Sequence, residues 1–303
     1  MRRYFPLFAA ACCLALVLIW LFSREAVVSS EETHQVERSF AAHGSVFVEP
    51  QEFFRLVSRV KSETRPMPGK VVGGVVPHHL LAGDMIGSLF SLLVEEPPAT
   101  VAVVGPNHFA AGGRILTGRY GWETPSGVVQ PDLTAIQYLL DSGLVALDDQ
   151  VLSGEHSIGA VVPFLKHYLP EARVIPLILQ ADVTLAEVSR LAQLLLSIPG
   201  GPPLIVASVD FSHYLTRPEA DRKDRETLAA LRAFDLPRLF TMGNDHLDSP
   251  PAIGLLFQAM AEKGIKTFDV LAHNNSGVIL GNDLIETTSY FTLAFFEDLG
   301  EKE

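Results

Sequence analysis

Residues 71–108 read VVGGVVPHHLLAGDMIGSLFSLLVEEPPATVAVVGPNH, and this stretch decides the fold. Its apolar ends, 71–76 and 100–104, are short and rich in valine, as strands buried on both faces are. Between them, residues 82–95 carry apolar side chains at helical spacing. Strand, helix and strand at this separation form a βαβ unit, with a right-handed crossover and parallel strands. Each strand then runs into a proline and a histidine: Pro77-His78-His79 after the first, Gly105-Pro106-Asn107-His108 after the second.

Downstream the pattern recurs. The apolar run 204–209 leads into Asp210-Phe211-Ser212-His213, and further strands are expected at 172–179, 266–272 and 289–296. Helical periodicity marks 133–141, 158–168, 185–197, 218–234 and 252–263. Alternating strands and helices predict an α/β fold: a single layered domain with a mostly parallel, mixed sheet flanked by helices, the last two strands adding antiparallel pairing. Residues 117–132, punctuated by glycine and proline, read as a hairpin or an ordered loop, either a surface excursion or a lid over the crevice. Carboxyl ends of parallel strands open onto one crevice, so the histidines that follow them converge there. Imidazoles gathered in this way point to a metal site or to proton transfer.

The N-terminus reads differently. Arg2 and Arg3 precede an apolar run over residues 5–22, long enough to cross a membrane as a helix. Without a clear small-residue cleavage site, residues 1–25 predict an uncleaved signal anchor, with secretion after cleavage as the alternative. Residues 26–45 are polar and aperiodic and read as a linker, with His34 and His43 solvated, ahead of a domain at 46–303. Arginines held in the cytoplasm would leave that body outside. Residues 1–25 hold three arginines and one glutamate, so the remainder carries 20 basic and 34 acidic residues. A body so acidic predicts no nucleic-acid partner. The chain's only two cysteines, Cys12 and Cys13, lie in the N-terminal segment, so a metal site in the body must be built from His, Asp and Glu.

His78 and His108 fit ligand roles because each sits at a strand end behind a proline turn, with His79 the competitor to His78. Gly154-Glu155-His156-Ser157 enters a helix; Glu155 or Ser157 caps it, or Glu155 and His156 support the site or relay a proton. Asp210, three residues before His213, can orient that imidazole as a general base. Asp248, before Ser249-Pro250-Pro251, either caps the next helix or supplies the carboxylate that completes a two-histidine, one-carboxylate set with His78 and His108. That set suits Fe(II), with Zn(II), Mn(II) or Cu(II) as alternatives.

These residues carry a resemblance. Pro77-His78, Gly105-Pro106-Asn107-His108, Glu155-His156-Ser157-Ile158, Ser208-Val209-Asp210-Phe211-Ser212-His213 and Ala252-Ile253-Gly254 resemble, in order, the signature blocks of the Memo family, whose prokaryotic members are called AmmeMemoRadiSam system protein B. The resemblance runs from about Pro66 to Phe296. It implies a class III extradiol dioxygenase-like fold, metal ligands at His78, His108 and Asp248, and an acid–base histidine at His213. At the third ligand position the animal Memo protein has cysteine and the dioxygenases glutamate, so Asp248 resembles the dioxygenase set more closely. The family name also implies association with radical-SAM and AMMECR-type proteins. The function expected is a metal-dependent, dioxygenase-like oxidoreductase acting on a small-molecule or peptide ligand in the crevice. The alternatives are a metal-dependent hydrolase and a non-catalytic binding module.

Overall fold

The computed structural model describes residues 41–61 and 67–297. Eleven strands occur among them: β1 (Ala42–His43), β2 (Lys70–Val76), β3 (Thr100–Pro106), β4 (Ile115–Thr117), β5 (Gly121–Thr124), β6 (Gly127–Val129), β7 (Ala146–Leu147), β8 (Arg173–Leu179), β9 (Leu204–Ser208), β10 (Asp269–Asn275) and β11 (Ser289–Glu297). Eight form one mixed sheet in the order β10-β11-β2-β9-β3-β8-β4-β7. The block β2-β9-β3-β8 is parallel, β10 with β11, β11 with β2 and β4 with β8 pair antiparallel, and β7 runs parallel to β4.

Both faces of this sheet are covered, which is why its strands read as unbroken apolar runs. In β3, Val101 and Val103 enter one core with helices Gly83–Ser91 and Val162–Tyr168. Ala102 and Val104 enter the other, with helices Leu185–Leu196 and Pro250–Glu262. The βαβ unit is present, but β9 lies between its two strands. The three strands that lead into histidines are therefore side by side, and their carboxyl ends form one crevice.

Several expectations need correction. The single helix expected at 158–168 is two, His156–Gly159 and Val162–Tyr168. Pro163 has no N–H to continue the ladder, so the helix restarts at it. Residues 117–132 contain the hairpin β5–β6, which joins β1 in a separate three-stranded sheet rather than forming a lid. His43, read as a solvated linker residue, lies in β1 and is buried against Trp122. The helix Pro50–Val57 had no counterpart among the sequence expectations.

The membrane-anchored, extracytoplasmic location is also corrected: among the described residues no helix is long and apolar enough to cross a membrane. The anchor expected at residues 1–25 and His34 lie outside the described residues.

Candidate metal centre

At the end of β2, the chain turns at Pro77 and sends the His78 ring into the crevice, where it is almost fully buried. Its backbone N–H donates to Asp210 Oδ1 at 3.0 Å. Ser208 fixes the ring: its hydroxyl donates to the carbonyl of Ser157 at 2.6 Å and so receives from His78 Nδ1, 3.2 Å away. With the proton on Nδ1, His78 presents the lone pair of Nε2 to the crevice. His79 lines the same cavity, with its Nδ1 2.6 Å from the Tyr290 hydroxyl.

His108 is held in the same sense by Glu155. This carboxylate, fully buried, takes His108 Nδ1–H at 2.7 Å, the His108 backbone N–H at 2.9 Å and the Ser157 N–H at 3.0 Å. Both readings of Glu155 therefore hold together, since it caps the helix and orients a histidine. Burial works against its ionisation, but the bonds from His108 and the Ser157 N–H prevail and hold its pKa down to about 2. An anion so fully engaged supports His108 and takes no proton of its own near neutrality.

Gly105 lets these parts meet. A Cβ there would lie 2.5 Å from Ser157 Oγ, a contact that would push the Glu155–Ser157 loop off β3. Gly105→Ala is expected to cost about 1–3 kcal/mol through overpacking, read as a fall in the thermal unfolding midpoint. An unchanged midpoint would show that the loop yields freely.

Asp248 reaches the crevice through a short antiparallel bridge between Phe211 and Leu247. Its N–H donates to the Asp210 carbonyl at 3.1 Å, and its Oδ2 accepts from the Asp210 N–H at 3.3 Å. Ser249, not Asp248, caps the following helix. Asp248 Oδ2 lies 3.2 Å from His78 Nε2 and 3.9 Å from His108 Nε2. Its Oδ1 is buried with no hydrogen-bond partner among the described residues.

His156 completes an imidazole cluster. Its ring stacks on His108 with centroids 4.0 Å apart, and His78 stands edge-on to both. Ligand atoms from His78, His108 and His156 all lie within 4.8 Å of one another. Burial and then the neighbouring His108 and His78 push His156 down to about 4, which keeps it neutral at ordinary pH. His78 moves the opposite way. Burial lowers it, but Asp210, Asp248 and Glu155 together outweigh that and raise it to about 9. The crevice is arranged to hold positive charge where His78 Nε2 faces Asp248.

A divalent cation fits this donor set. An orphaned carboxylate oxygen deep in a protein is costly, and a cation beside Asp248 satisfies it. Two imidazoles whose outer nitrogens are tied to Ser208 and Glu155 have the support that metal-ligating histidines ordinarily receive.

His213 lines the same cavity, of about 470 Å³, but not as the sequence suggested. Asp210 is engaged with the His78 N–H, and the buried Nδ1 of His213 has no hydrogen-bond partner among the described residues. Asp210 thus braces His78 rather than orienting His213; a carboxylate three residues away met a backbone donor on the adjacent strand first.

A family model described as Memo-like protein matches residues 38–293. The chain belongs to this family. A MEMO1 family protein of Pyrobaculum aerophilum is 29% identical over 238 residues, covering 75% of this chain and 84% of that protein. One from Methanosarcina acetivorans is also 29% identical, covering 70% and 82%. One from Methanopyrus kandleri is 26% identical, covering 86% and 99%. In fold, the chain resembles an uncharacterized protein from Escherichia coli K12 whose crystal structure superposes with a TM-score of 0.51, at 15% identity, covering 74% of this chain and 99% of that one. The Memo family recognised from the signature blocks stands.

Proposed function

We propose that this Memo-family protein binds a divalent metal through His78 Nε2, His108 Nε2 and Asp248, and works as a dioxygenase-like oxidoreductase with Fe(II) as the preferred ion. The observation that carries the reading is the pairing of two outward-braced imidazoles with a carboxylate whose buried Oδ1 has no hydrogen-bond partner among the described residues. His78, His108 and Asp248 would hold the ion, which would supply a Lewis acid for substrate and O₂.

The chain's own residues do the rest. Ser208 and Glu155 fix the tautomers of His78 and His108, so that no reorganisation is needed on binding. Asp210 pins the backbone of His78. His213, outside the ligand set but lining the cavity, takes a proton from the bound substrate and returns it to the product. His156, neutral and stacked on His108, accepts a hydrogen bond from a group entering the crevice.

His213→Ala should therefore leave metal content near that of the unmodified chain while removing turnover in a substrate screen. Equal loss of metal in this variant would make His213 a ligand. Binding also displaces the proton that the carboxylates place on His78. The sign follows from a pKa raised to about 9: the proton is present below that value and competes with the metal. Apparent metal affinity is expected to rise at least about tenfold per pH unit between about pH 6 and 8, read by competition with a chelator. A flat profile would contradict ligation by His78.

The experiment that tests the reading is metal analysis of protein purified without oxygen, combined with spectroscopy of the iron state. About one ion per chain and a redox-responsive iron signal are expected. Protein that holds no metal and takes up none would overturn the reading.

A further inference from the structure

One wall of the crevice is supplied by a residue far from the histidine motifs. Phe47 follows β1 and lines the cavity, its ring centroid 6.5 Å from that of His156. A Cβ added at Gly159 would be driven into the edge of this ring. Glycine in a helix costs about 1 kcal/mol relative to alanine. Gly159 is not among the glycines with positive φ, so its backbone does not demand glycine. What needs the missing side chain is the seat for Phe47.

The segment bearing Phe47 is fastened on both sides. Upstream, β1 pairs Ala42 with Gly121 and His43 with Trp122, and His43 is 6% exposed. Downstream, Val48 is equally buried, and the helix Pro50–Val57 follows. The phenyl ring is thus set against the helix His156–Gly159 at the edge of the imidazole cluster. Leu80, Ala160 and Tyr214 add to the cavity lining, and among the described residues no lysine or arginine lines it.

We propose that Phe47, seated on Gly159, determines the specificity of this crevice: it selects ligands that carry a flat, apolar body beside their metal-binding group. The inference rests on reading the crevice as a metal site with open positions. An aromatic ring gains from contact with another beyond the area it buries. A ring held from both sides also gives that contact without the entropy of ordering a loose side chain.

The test uses the full chain loaded with Co(II), titrated with imidazole and with 4-phenylimidazole and followed by the visible spectrum of the metal. The two probes share a metal-binding head and differ by one phenyl group, so their affinity ratio cancels changes at the metal. In the unmodified chain 4-phenylimidazole should bind at least about tenfold tighter. Phe47→Ala should reduce that ratio to about twofold or less, and Phe47→Leu should give an intermediate ratio with the core contact largely kept. Gly159→Ala, which displaces the ring from its seat, should act as Phe47→Ala does, and the double variant should lose no more than either single one.

A ratio unchanged in Phe47→Ala and Phe47→Leu, or losses that add in the double variant, would overturn the proposal. Failure of the metal reading shows separately, as a chain that retains no cobalt. The wall is then judged on 4-phenylimidazole binding to the metal-free chain by NMR, where Phe47→Ala must still weaken it by about fivefold or the proposal falls.

Discussion

Replacing His108 by alanine is expected to empty the crevice, with metal content falling from about one ion per chain to less than about a tenth after dialysis. The remaining His78 and Asp248 hold a divalent ion too openly to compete with water and buffer. The substitution also strips Glu155 of two of its functions, the Nδ1–H it accepts and the ring it aims. Elemental analysis of the dialysed variant, with circular dichroism to show that it is folded, reads the outcome. A folded variant that keeps its metal would move the site away from His108.

The second large effect concerns Glu155 itself. Glu155→Ala leaves His108 Nδ1–H and two backbone N–H groups without their acceptor in a fully buried position. Breaking such a cluster by removing one member costs about 3–5 kcal/mol, which for a domain of this size lowers the unfolding midpoint by about 10 °C. The acid dependence has a definite sign. The carboxyl of Glu155 is held down to about 2 in the folded chain, against an ordinary value of 4.5. Its contribution is therefore present in full above about pH 4.5 and is lost as pH falls toward 2. Glu155→Gln should flatten this acid flank. Thermal unfolding at several pH values measures both effects, and an acid profile identical to that of the unmodified chain would show that Glu155 does not carry this load.

The parallel core was legible because its strands are buried on both faces and leave apolar runs that periodicity cannot hide. The crevice was legible for the same reason: three of those runs stop at proline or aspartate and a histidine. That β9 inserts between β2 and β3 was not, since strand order depends on long-range packing. Asp248 could be seen as a cap or as a crevice carboxylate; the bridge from Phe211 to Leu247 that carries it inward leaves no periodic trace.

Side-chain partners were harder to read than positions. Spacing put Asp210 beside His213, yet its oxygen meets the N–H of His78 across the sheet. Phe47 escaped notice and His43 read as solvated because β1 is two residues long and follows a polar, aperiodic stretch, where a strand that short has no pattern. Gly159 offered a signal in retrospect: a glycine inside a helical run, beside a histidine motif, marks close approach by something else.

In the proposed site one metal ion would sit between His78, His108 and Asp248. Crystals of the chain loaded with Fe(II) without oxygen, measured at the iron absorption edge, test it most directly. A single anomalous peak is expected at roughly 2.0–2.2 Å from the ε nitrogens of His78 and His108 and from a carboxylate oxygen of Asp248. No peak in the crevice, or a peak bound by His156 with Asp248 turned away, would contradict it.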